Sequence, residues 1–133
     1  LQTLNQIVKI EGVNNIFCCD KDLQNFLNVV KTNFTPELQH ANDAAFITCE
    51  YLIAFDGRIM LSANNILHYH SSKLPEKIII MANVSQIVSN LNDAMGKIKR
   101  NGNIKNLTSI SGGQNKLDAT APNNKLFLLL LED

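Results

Sequence analysis

Two short stretches carry residue types suited to chemistry, the loop Ser111-Gly112-Gly113-Gln114-Asn115-Lys116-Leu117-Asp118 and the triplet Asp56-Gly57-Arg58. A glycine pair after an apolar run can expose successive backbone N–H groups that cradle a phosphate or carboxylate; it serves equally well as a tight strand exit. Asp118 could act as a general base or accept a sugar hydroxyl, its alternative being an N-cap or Asx-turn. Asp118 is therefore the candidate catalytic residue, and Asp56, Gly57, Arg58, Ser111, Gly112, Gly113, Gln114 and Lys116 are the candidate ligand-binding residues. Asp56-Gly57 also lies between the apolar runs Leu52–Phe55 and Ile59–Leu61. That pattern predicts a type I′ hairpin, whose central positions both need positive φ. If the hairpin leans over a cleft, Asp56 and Arg58 form its polar tip.

The remaining reactive side chains lead to no metal and no bound cofactor. His68 and His70 are one residue apart and His40 is distant, without the Cys-x-x-Cys or His-Glu-x-x-His spacing that makes ligands converge on zinc. Cys18, Cys19 and Cys49 are odd in number, with two adjacent, which argues against a disulfide framework and for a reducing compartment. The first two sit in an apolar run, where at least one should face the core and be inert. Three cysteines cannot supply the four thiolates of an iron–sulfur cluster.

The elements that must hold these residues alternate. Leu1, Leu4, Ile7, Val8 and Ile10 recur at helical spacing and Gly12 stops the pattern. Asn15–Cys19 reads as a short strand, and Asp20 can cap a helix containing Leu23, Phe26, Leu27 and Val30. Ala44–Cys49 and Lys77–Ala82 read as buried strands. A helix is expected from Asn83 or Val84 to just before Gly102, with Ile87, Val88, Leu91, Ala94, Met95 and Ile98 on one face. Its last turn and exit carry Lys97, Lys99, Arg100 and Lys105, where cations suit the helix dipole. Asn65–Ser72 could hold a short helix and Gln114–Leu117 one helical turn. Leu107–Ile110 and Lys125–Leu131 complete the strands, the last with so few polar breaks that burial on both faces is expected. This order predicts an α/β domain with a mostly parallel, mixed sheet covered by helices in a three-layer αβα arrangement. The leucine-rich last strand should lie beside Ile78–Met81, bringing the bends at Asp56 and Asp118 toward one hollow.

At 133 residues the chain fits one domain spanning 1–133, and a start at Leu1 inside a helix suggests that a preceding segment has been removed. Its 45% hydrophobic and 18% charged content is that of an ordinary globule. Equal totals of 12 basic and 12 acidic residues leave no field for nucleic acid. No run approaches a membrane span or a secretory signal, so a cytoplasmic protein without membrane contact is expected.

Glu50–Leu61 (EYLIAFDGRIML) resembles the segment of the lactate-utilisation (LUD) domain family that leads through a Thr-Gly turn into a strand. Leu74-Pro75 before Lys77–Ala82 resembles the family's Leu-Pro before a buried strand, and Gln86-Ile87-Val88 its following "sqIV". Ile110–Asp118 resembles its Ile-Thr/Ser-Gly-Pro-Ser-Arg-Thr-Ala-Asp loop, closed by an apolar strand such as Leu126–Leu131. The likeness keeps its order over Ala44–Glu132. Gly57, Gly112 and Asp118 match; Phe55, Asp56, Lys77, Gly113, Gln114, Asn115 and Lys116 depart from the pattern.

This resemblance implies a fold similar to the NagB, ribose-phosphate isomerase and CoA-transferase superfamily. It implies an accessory or ligand-binding component linked to the oxidation of L-lactate to pyruvate. The partners it allows are a small anionic metabolite, iron–sulfur subunits and a second copy of the chain in a homodimer. The alternatives are a stand-alone isomerase-like or CoA-transferase-like enzyme using Asp118, and a non-catalytic interaction module.

Overall fold

Five apolar runs line up in parallel to make the main sheet of the computed structural model, which describes residues 2–101, 104–111 and 125–132. Its strands are β1 (Ile16–Phe17), β2 (Phe34–Thr35), β3 (Ala44–Ile47), β6 (Lys77–Asn83) and β9 (Lys125–Leu131), in the spatial order β2-β1-β3-β6-β9. Parallel neighbours need crossovers. The first is α2 (Lys21–Val29), which begins where expected because the Asp20 carboxylate accepts the N–H groups of Asp22 and Leu23 at 3.0 and 3.1 Å. A second sheet has the order β7-β4-β5-β8 and contains β4 (Tyr51–Ile53), β5 (Arg58–Leu61), β7 (Ile87–Val88) and β8 (Thr108–Ser111).

Burial divides along the faces of these sheets. Ile16, Cys18, Ala44, Phe46 and Ile79 pack with Leu23 and Leu27 of α2 and with Leu4 of α1 (Gln2–Ile10). The opposite face of the main sheet, with Phe17, Ala45, Ile47, Ile78 and Ile80, packs on Leu52, Ile59, Leu61 and Ile110 of the second sheet. Ile66 of the one-turn helix α3 (Ala63–Ile66) joins that cluster. The outer face of the second sheet is covered by α4 (Leu91–Asn101) through Ala94. The α/β class and the helix–sheet–helix layering are those the sequence predicts. The hairpin forms its own sheet instead of widening the parallel one, so the central β layer is doubled. Among the described residues no helix is long and apolar enough to cross a membrane.

Several local expectations are corrected. The helix predicted from Asn83 or Val84 starts only at Leu91, after a 3-10 turn at Val84–Gln86 and the strand β7. The Gln86 side chain prevents an earlier start: its Oε1 accepts the Asn83 N–H at 2.7 Å, and its Nε2 donates to the carbonyls of Cys49 and Glu50 at 2.7 and 3.2 Å. Asn90 then caps α4 by accepting the Asp93 N–H at 2.9 Å. The hairpin is not a two-residue type I′ turn. Ile53 pairs with Arg58 across the four residues 54–57, and of Asp56 and Gly57 only Gly57 has positive φ, +73°. β9 does lie beside β6, with Ile78 opposite Leu126 and Met81 opposite Leu129. Among the described residues it is the edge strand, however, and its leucines are half exposed rather than buried on both faces. The two-residue β2 was not foreseen.

Candidate functional site

The carboxyl ends of the parallel strands surround a cavity of about 700 Å³. From β1 the chain turns through α2 to β2 on one side, whereas from β3 it proceeds to β6 on the other. The ends of β1 and β3 therefore form the topological switch point, where parallel α/β sheets leave a crevice for ligands. Asp20 follows β1, Thr48 follows β3, Asn83 closes β6, and Gln86 stands on the 3-10 turn; together with Asp22 and Asn25 of α2 they give the cavity its polar wall. Phe26, Val29, Met81 and Leu131 form the apolar side.

Hydrogen bonds from below fix this wall. Asn65 is buried; its Nδ2 donates to Thr48 Oγ1 at 2.9 Å, its Oδ1 accepts the Ser62 N–H at 2.8 Å, and its carbonyl accepts the Cys19 thiol at 3.2 Å. Ser62 Oγ donates to Glu50 Oε1 at 2.6 Å, and Asn64 Nδ2 donates to the same oxygen at 3.1 Å. The segment after β3 is thus tied to α3 through three side chains. The described lining holds two carboxylates, those of Asp20 and Asp22, and no lysine, arginine or histidine. Its carboxylates accept hydrogen bonds from hydroxyl or amine groups, and its amides and the Thr48 hydroxyl can both donate and accept.

Burial dominates the thiols near this end of the sheet. It pushes Cys18 and Cys49 from 9.0 up to about 12, and raises Cys19 as well. None of the three is a nucleophile at neutral pH, since the reactive form is the thiolate. His70 Nδ1 accepts the Ser72 N–H at 3.1 Å, capping a 3-10 turn, and the His68 ring stacks on Tyr69. Among the described residues no group of three or more His, Cys, Asp or Glu is arranged to hold a metal.

The sequence-predicted site falls partly elsewhere. Asp56 accepts the Arg58 N–H at 3.1 Å and pairs with the Arg58 Nε at 3.3 Å, so the acid and base of the hairpin tip neutralise each other in an exposed turn. Arg58 is the register partner of Ser111, which brings Asp56–Arg58 beside the strand from which the Gly112 loop departs. Gly112, Gly113, Gln114, Lys116 and Asp118 lie outside the described residues. Asp56, Gly57 and Arg58 do not line the cavity at the switch point. Residue-type reasoning missed Thr48, Asn83 and Gln86, although Thr48 directly follows β3, Asn83 ends β6 and Gln86 lies three residues beyond it, at the strand ends from which a parallel sheet presents its ligand-facing groups.

Comparison with known proteins agrees with this architecture. The model of the LUD domain family matches residues 15–124. A crystal structure of a DUF162 family protein from Deinococcus radiodurans is similar in fold, with a TM-score of 0.55 and 16% identity, covering 99% of this chain and 95% of that one. No curated protein matches the sequence.

Proposed function

The chain belongs to the LUD domain family, and on that premise we propose that it is an accessory, ligand-binding component of L-lactate utilisation whose iron–sulfur partner subunits carry the electrons. The observation that supports this reading is the cavity at the switch point of the parallel sheet, with Asp20, Thr48 and Asn83 converging on one wall. The ligand presents hydroxyl groups to these polar side chains and lays its carbon skeleton on Phe26 and Met81. A ligand hydroxyl suits such a wall, whereas a carboxylate such as that of lactate finds no cation on its described part. Electron transfer is assigned to partners because this chain's three thiols are too few for a four-thiolate cluster.

The test is a thermal-shift titration with lactate, pyruvate, sugar phosphates and acyl-CoA, repeated on Asn83→Leu and Thr48→Val. A hydroxylated ligand should raise the Tm of the wild type in a saturable manner, since binding to the native state alone stabilises it. Both variants should need at least about tenfold more ligand, the effect of roughly 1.4 kcal/mol. No shift with any compound, together with no co-purifying iron–sulfur protein, would refute the proposal.

A further inference from the structure

We propose that β9 is a dimerisation edge, across which a second copy of this chain adds its own β9 in antiparallel orientation about a two-fold axis. The inference is independent of the ligand reading. β9 pairs along its whole length with β6 and ends the strand order, so no strand covers its other flank among the described residues. Such an edge offers a row of unpaired backbone N–H and C=O groups, which monomeric proteins blunt with charge, proline or brevity. The opposite edge of the same sheet is blunted: β2 has two residues and Pro36 follows it. By contrast, β9 runs seven residues, and Leu126 to Leu131 contain neither charge nor proline.

The exposed side chains favour a self-complementary partner. Leu128, Leu130 and Leu131 are 44%, 47% and 45% exposed, an unusual state for three of the last four residues of one apolar strand. Beside them a hollow of about 300 Å³, walled by Thr3, Leu4, Met81 and Leu128–Leu131, can receive side chains from across the edge. The charges choose the orientation. Lys125, which pairs with Glu11 of its own chain at 3.6 Å yet stays 62% exposed, opens the strand and Glu132 follows it, so a parallel second copy would set like against like, whereas an antiparallel one sets Lys125 near Glu132 at both ends. A strand basic at its start, acidic at its end and apolar between is the complement of itself reversed, as an isologous two-fold contact requires.

Sedimentation velocity of the full chain over a concentration series tests this. The wild type should be a dimer, and Leu128→Lys with Leu130→Lys a monomer with an unchanged far-UV circular dichroism spectrum. Two charge reversals keep the test decisive if that variant misfolds. Lys125→Glu and Glu132→Lys should each weaken the homodimer severalfold, since each sets two like-charged pairs face to face. An equimolar mixture of the two should restore dimers, because every end then joins opposite charges. A wild type monomeric at all concentrations overturns the proposal, as does a dimer that the leucine variant leaves intact or whose affinity the mixture does not recover.

Discussion

Asn65 shows how one buried amide can govern a surface it does not touch. It accepts from Ser62, donates to Thr48 and takes the Cys19 thiol on its carbonyl, joining α3 to the ends of β1 and β3. Replacing it by leucine preserves volume but orphans the Ser62 N–H and removes the donor that orients Thr48. An unsatisfied buried group costs about 1–3 kcal/mol. Asn65→Leu should therefore lower the unfolding free energy by that amount, read as a lower urea midpoint with an unchanged m-value, and should weaken any ligand held through Thr48. Asp20 is a simpler case. Its carboxylate caps α2, so Asp20→Ala should cost about 1 kcal/mol in the same measurement. This cap was legible in the sequence because it depends on residues two and three positions away. Asn65 was not, since its partner Thr48 is seventeen positions distant.

At the scale of elements, the legible parts were those whose evidence is local. The apolar runs of β3, β6 and β9 mark strands wherever they end up, and Gly12, with φ +64°, stops α1 as its position implies. What fails is the inference from a run to its neighbours. The leucines of β9 say that the strand is apolar, but not that a second strand lies beyond it. Likewise Ile87 and Val88 fall on the helical face that contains Leu91 and Ala94, so periodicity alone joins them to α4. The structure separates them because Gln86 reaches carbonyls 36 and 37 residues back, and Ile87 and Val88 pair with Leu52 and Ile53. If that side chain holds the 3-10 turn against β4, Gln86→Ala should loosen β7 without disturbing the main sheet. Hydrogen exchange would register faster exchange at the Ala54 amide, which donates to the Val88 carbonyl at 2.8 Å, and unchanged protection in β6. Equal loss of protection in both sheets would mean that they open as one unit.

For the molecule as a whole, the sequence led to the correct layers, while the cavity arises from the order of strands, which no residue pattern displays. That same layering supplies a global prediction, because Cys18 lies in the cluster beneath α1 and α2 and Cys49 in the cluster between the two sheets. Both thiols are pushed from 9.0 to about 12, chiefly by burial. In the unfolded chain they ionise near 9.0, whereas in the folded chain they stay protonated until about 12. Between these values the native state binds more protons than the unfolded one, so the stability contributed by the buried neutral thiols is complete below pH 9 and drains away as pH rises. The slope is about 1.4 kcal/mol per pH unit for each fully buried thiol. Urea unfolding under reducing conditions, followed from neutral pH upward, should show this loss setting in near pH 9. Cys18→Ala and Cys49→Ala each begin from a lower stability, but each should flatten the alkaline slope by one thiol's share, and the double variant by two. A slope indifferent to both substitutions would place the proton release in other groups and remove the buried thiols from the alkaline transition.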